Sequence, residues 1–178
     1  MAKDEKLDNL DRQILKLLSK SARTPFKDIA EVCGVSRAAV HQRVQKMVDD
    51  DVILGSMFII NPKSVGYLTC TYVGIQLEKG NMSKVVTDEL LKIPEIVECH
   101  LTTGPYAMLA KLYARDNEQL LDLLHNKIAQ IEGIVSTETL ISLDQCIMRE
   151  VPVAEQSAKP TKSRVRRNEQ IRLDDETE

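Results

Sequence analysis

The residues best equipped for chemistry in this chain lie between Ser36 and Val48, in the run SRAAVHQRVQKMV. Arg37, Arg43 and Lys46 supply cations, Gln42 and Gln45 supply amides, His41 supplies an imidazole, and no carboxylate interrupts them. Guanidinium and ammonium groups neutralise phosphates, and a Gln amide can pair bidentately with adenine. His41 can donate to a base edge or to a phosphate. Ala38 is small enough to let a helix approach and to touch a thymine methyl. Acid returns only at Asp49-Asp50-Asp51. The chemistry offered is recognition of a polyanion.

Other reactive groups do not assemble into a site. Cys33, Cys70, Cys99 and Cys146 show no CxxC or Cys/His spacing that suits zinc. They read as reduced thiols packed as small apolar residues. His41, His100 and His125 are far apart in sequence. No paired carboxylates or nucleophile–base pair can be found, and strand alternation explains Glu98 beside His100. An enzyme, a metal site and a cofactor are therefore not expected.

Positioning the 36–48 run requires a helix with a buried underside. Val40, Val44, Met47 and Val48 form one apolar stripe, and Ser36 can cap the exposed amides. Gly34-Val35-Ser36 makes the bend from a preceding helix, in which Thr24 caps, Pro25 takes the first position, and Phe26, Ile29 and Val32 face inward. A first helix over 9–19 adds Leu10, Ile14, Leu17 and Leu18, capped by Asp8 or Asn9. Three helices with a glycine-bearing bend form a helix-turn-helix. Two short helices around a glycine also occur in all-α proteins that do not bind DNA. Val52-Ile53-Leu54, Gly55 and Met57-Phe58-Ile59-Ile60 read as a small β-hairpin, a wing beside the second helix of the motif.

A different rhythm follows a link at 62–67. Strands are expected over 68–78, 96–103, 106–114 and 134–143, with helices over 82–92 and 117–131. Val85, Val86, Leu90 and Leu91 face in from the first of these helices; Leu120, Leu121, Leu124 and Ile128 do so from the second. The order βαββαβ is the ferredoxin-like split arrangement, so the fold class is α+β. The domains are 1–61, 68–151 and a charged, disordered tail at 152–178. Met108 and Leu112 point to one face of their strand and Leu109 and Tyr113 to the other. Helices hide one face, and a second copy of the chain is the natural cover for the other, giving a symmetric dimer.

Bulk properties agree. The 178 residues are 43% hydrophobic and 29% charged, with a net charge of −3. Residues 1–60 carry ten Lys/Arg against nine Asp/Glu, so the local helix matters more than the domain total. No apolar run approaches a membrane span, and the start, MAKDEKLDNLD, lacks an apolar signal core; a cytoplasmic location is expected.

A helix-turn-helix followed by βαββαβ resembles the Lrp/AsnC, or feast/famine, family of transcription regulators. The likeness spans about 7–149 and rests on LDNLDRQIL, ARTPFKDIAEVCGVS, HQRVQKM, TTGPY and STETLISLDQCIMR. The last two are similar to the asparagine-responsive, AsnC-like branch. The resemblance implies a winged helix that binds double-stranded DNA and a RAM domain that dimerises through its sheet and assembles further, commonly into octamers. It implies a small amino acid, asparagine first, bound between dimers. By position the effector loop is Thr102, Thr103, Gly104, Pro105, Tyr106 and Ala107, and the facing strand is Ser136, Thr137, Glu138 and Thr139. Many members carry an Asp for the ligand ammonium where this chain has Ala107. Glu138, Glu98 or backbone carbonyls must then serve, and Pro105 removes one loop N–H. The Thr hydroxyls can donate or accept, and Gly104 permits close backbone approach. An architectural, nucleoid-like protein with little effector control is the alternative.

Overall fold

The computed structural model describes residues 7–153. Two compact units are present, one formed by the chain up to Ser56 together with the chain from Glu150, the other spanning Met57–Arg149. The expected tail lies almost wholly outside the described residues.

The first unit is helical. Helix α1 (Asn9–Leu18) starts at Asp8 in a reciprocal capping box: the Asp11 N–H donates to Asp8 at 2.8 Å and the Asp8 N–H to Asp11 at 3.1 Å. Helix α2 (Phe26–Cys33) ends at Gly34, whose φ of 66° is the left-handed cap that frees the chain to turn. Ser36 accepts the Ala39 N–H at 3.1 Å and opens helix α3 (Arg37–Asp49). Ile14, Ile29, Ala30, Val40 and Met47 close a small core.

Several expectations are corrected here. Thr24 does not cap α2; its hydroxyl donates to the Ser21 carbonyl at 2.9 Å, and Pro25 itself occupies the cap. Val32 faces out at 71% exposed, and Val48 is 43% exposed. Phe26, Ile29, Ala30 and Cys33 make the inward stripe of α2, and Val32 falls outside it. The hairpin does not form, because no strand is present over 52–60. Its first arm is committed elsewhere: the Val52 and Ile53 N–H groups both donate to the Met47 carbonyl, and both side chains pack on the helical core. The wing is therefore absent from this chain's own structure. The expected 62–67 link lies inside the second unit, where Pro62–Val65 forms a 3-10 turn.

The second unit is an antiparallel sheet of β1 (Thr69–Leu77), β2 (Ile96–Leu101), β3 (Met108–Ala114) and β4 (Ile134–Ser142), in the order β2-β3-β1-β4. This is the split βαββαβ topology, and the fold class is α+β. Helix α4 (Ser83–Leu90) and helix α5 (Asn117–Asp122) follow β1 and β3. Strand alternation sends Val73, Ile75, Met108, Ala110, Leu112 and Ala114 into one core with Val86, Leu90, Leu120, Leu123 and Ile128. Val85, Leu91 and Leu121, expected inside, are exposed. The helix expected over 117–131 is not uniform. After Asp122 it widens into a π turn, Leu123–Lys127, then a 3-10 turn, Ile128–Gln130. The Ile128 N–H reaches the Leu123 carbonyl, and this five-residue step puts both fully buried side chains on one face.

Candidate functional site

Helix α3 presents its outward residues as its cap and stripe dictate. Val40 and Met47 are buried beneath; Ser36, Arg37, Ala38, His41, Gln42, Gln45 and Lys46 are exposed. The His41 ring sits edge-on to Phe26 at 6.0 Å, which orients the imidazole. The Gln45 amide donates to Asp49 one turn on at 3.0 Å, so the first of the three acids belongs to the helix itself. Ser36 is spent on the cap.

Arg43, expected at a phosphate, is paired within the helical unit. Its Nη1 lies 2.6 Å from Asp8 and 2.8 Å from Asp11, and only a third of the side chain is exposed. Partial burial alone would push the Asp8 carboxyl up, but the Asp11 N–H and the Arg43 guanidinium outweigh it and hold Asp8 below its usual 3.8. The same two carboxylates raise Arg43. A depressed carboxyl stabilises the fold above its unfolded pKa and ceases to as pH falls through the lower, folded one. Acid titration of thermal stability should show a loss beginning near pH 4 that Asp8→Asn partly removes. An Asp8→Asn profile identical to the parent's would refute this.

In the second unit the 102–107 loop is tied to the sheet. The Thr102 N–H donates to the Ala107 carbonyl at 3.0 Å and its hydroxyl to the Tyr106 carbonyl at 2.7 Å. The Ala107 N–H donates to Ile75 at 3.0 Å. Tyr106 lays its ring over Gly74 of β1 and donates its hydroxyl to Glu138 of β4 at 2.6 Å. Accepting that bond, the Glu138 carboxylate raises the Tyr106 pKa. The Gln76 amide donates to the Pro105 carbonyl at 3.4 Å and accepts the Ser136 hydroxyl at 3.0 Å. Gly104, at φ 122°, makes the turn that only glycine adopts freely.

The ten residues named for this site are not all gathered. Ser136 and Glu138 pair with Gln76 and Gly74 and share their face with the Tyr106 ring. Thr137 and Thr139 pair with Ile75 and Val73 and belong to the opposite face. Thr103 is exposed on the loop. Sequence reasoning missed Gln76 and Gly74. The available signal was a glycine inside a strand, which marks close approach of another group. Cys99 and Cys146 are exposed rather than packed, and partial desolvation by its neighbours raises the Cys99 thiol pKa. Among the described residues no His/Cys/Asp/Glu group could hold a metal, and no helix is long and apolar enough to cross a membrane.

Residues 7–48 match the AsnC-type helix-turn-helix domain, and residues 70–152 match the Lrp/AsnC ligand binding domain. The chain belongs to the Lrp/AsnC family. Regulatory protein AsnC of Haemophilus influenzae is 38% identical over 82% of this chain and 97% of its own length. Regulatory protein AsnC of Escherichia coli is 38% identical over 82% of this chain and 95% of its own. The solved structure of E. coli AsnC matches with a TM-score of 0.76, covering 82% of this chain and 98% of that one. A Neisseria meningitidis transcriptional regulator solved as an L-Met complex shares the fold at a TM-score of 0.75 and 17% identity, over 80% of this chain and 94% of that one. This Lrp/AsnC member is a DNA-binding transcriptional regulator, and its relatives are regulators rather than enzymes. Helix α3 falls in the helix-turn-helix match, and the tethered loop falls in the ligand-binding match.

Proposed function

We propose that this regulator reads DNA sequence through α3 and adjusts that reading to a small amino acid held at the 102–107 loop, with asparagine the first candidate. The observation that carries the ligand half is the Tyr106–Glu138 bond at 2.6 Å beside Gln76 and Ser136. Together they set a carboxylate, a phenol, an amide and a hydroxyl along one sheet face, the mixed donors and acceptors an α-amino acid needs. The L-Met complex of the N. meningitidis protein supports an amino acid as the ligand class.

A second copy of the chain completes the site. The open sheet face carries Tyr72, Leu109, Tyr113 and Leu140, with Lys111 lying over the rings of Tyr72 and Tyr113 at 5.9 and 5.7 Å and paired with Glu98 at 3.4 Å. A charge already paired can be covered at less cost than a lone one. Leu54, Met57, Ile59 and Ile60 are 64–90% exposed, further apolar area for a partner copy. A symmetric dimer, and octamers built from dimers, follow, working in the cytoplasm. The architectural alternative rests on Ala107 and Pro105, which leave the loop without a carboxylate and with one N–H fewer.

Footprinting on the chain's own upstream region, with and without each L-amino acid, separates these readings. Protection that moves with asparagine supports the sensor; protection indifferent to all twenty supports the architectural protein. On the DNA side, Gln42→Ala should cost about 1–3 kcal/mol of discrimination between a preferred and a scrambled duplex. Arg37→Ala should instead weaken both duplexes alike and flatten the salt slope by about one. Gln42→Ala binding all duplexes as the parent does would remove α3 from base readout.

A further inference from the structure

We propose that Arg43 serves DNA recognition as a positioning residue: gripped by Asp8 and Asp11, it sets how α3 is turned on α1 and so where Gln42 points.

Three observations meet here. The link is long-range, joining the mid-point of α3 to the first turn of α1 across 35 and 32 residues of sequence. Its carboxylates are themselves held, since Asp8 and Asp11 accept each other's backbone N–H in the capping box, and Asp11 is 9% exposed. Both bonds leave one nitrogen, Nη1, whose two N–H groups point in fixed directions within the guanidinium plane, so the two held carboxylates set that plane. Beneath α3, Val40 and Met47 are buried, and partly buried apolar side chains, Val44 among them, pack around the same core. Those contacts are non-directional, whereas the Arg43 grip has a set direction, and Gln42, the adjacent residue, is carried with it roughly 100° around the helix. A partly exposed ion pair adds little to stability, so its directional role is the larger one.

The contrary readings make Arg43 a phosphate contact, or a cation withheld from DNA by the two acids. The full chain distinguishes them, using two duplexes: one selected from a random pool by the parent protein, and one scrambled to the same composition. Arg43→Gln and Asp11→Asn should each shrink the ratio of the two affinities about tenfold, the value of one bidentate base contact, with the salt slope unchanged. Arg43→Lys, which keeps the charge but replaces the planar pair of N–H groups on Nη1 with a freely rotating ammonium, should behave as Arg43→Gln. Asp8→Asn, at a carboxylate more than half exposed, disturbs the fold least and should shift the ratio in the same direction by a smaller factor. The proposal is overturned if Arg43→Gln weakens both duplexes equally and flattens the slope by about one. Stronger binding of both duplexes by Asp11→Asn or Asp8→Asn, or parental discrimination in Arg43→Lys, overturns it too.

Discussion

Replacing Gly74 with alanine should drive the Tyr106 ring off the sheet. A Cβ at this position would stand 2.6 Å from two ring carbons and 2.7 Å from a third, well inside contact distance. Gly74 is buried in the middle of β1, between Leu109 of β3 and Glu138 of β4, so the strand has no room to retreat. Forcing both groups to stay would cost about 1–3 kcal/mol, as overpacking does. The ring swings away instead, and the hydroxyl leaves Glu138. Two readouts follow. The raised Tyr106 titration in an absorbance scan should fall back toward the ordinary value of 10.0, since the Glu138 carboxylate no longer holds that proton. On the function proposed above, the amino-acid response of DNA binding should be lost in the same protein. Tyr106→Phe keeps the ring over the glycine and removes only the hydroxyl, so it should leave the melting temperature in place while changing the ligand response. A Gly74→Ala protein with a parental tyrosine titration would show that the ring does not depend on the missing side chain.

The second large effect lies in the helical unit. Ile14→Ala should destabilise that unit by about 2–5 kcal/mol. Ile14 is fully buried and is one of five side chains that close this core, so removing it leaves a cavity that short helices cannot collapse around. Each kcal/mol moves the midpoint of a small domain by roughly 4–8 °C. DNA binding should therefore disappear on warming well below the parent's transition. The measurement is thermal melting followed by a band-shift titration across temperature. A parental melt and parental DNA affinity at every temperature would mean that Ile14 does not hold α1 against α2 and α3.

Much of this molecule was readable because the governing interactions are short-range. The Gly34 left-handed cap and the Ser36 N-cap each depend on residues within five positions, and both are where the residue types demand. The sequence separated Met108 and Leu112 from Leu109 and Tyr113 as two faces of β3, and the structure buries the Met108 side. The π turn was not readable, because it arises from where Leu123 and Ile128 must arrive in the core and not from their own preferences. The wing failed for a related reason. Val52 and Ile53 have every propensity for a strand, yet Met47 offers them a nearer carbonyl.

The chain alone determined its element order, the acid-free face of α3, its family motifs and the tight loop at Gly104, since periodicity, capping and glycine geometry are properties of neighbours in sequence. Only the tertiary structure decided that Arg43 is gripped by Asp8 and Asp11, that Tyr106 lies over Gly74 to reach Glu138, and that Thr137 and Thr139 belong to the other face from Ser136 and Glu138. Each of these depends on strand register or helix rotation, which brings together groups about thirty or more positions apart, and no local pattern encodes that distance.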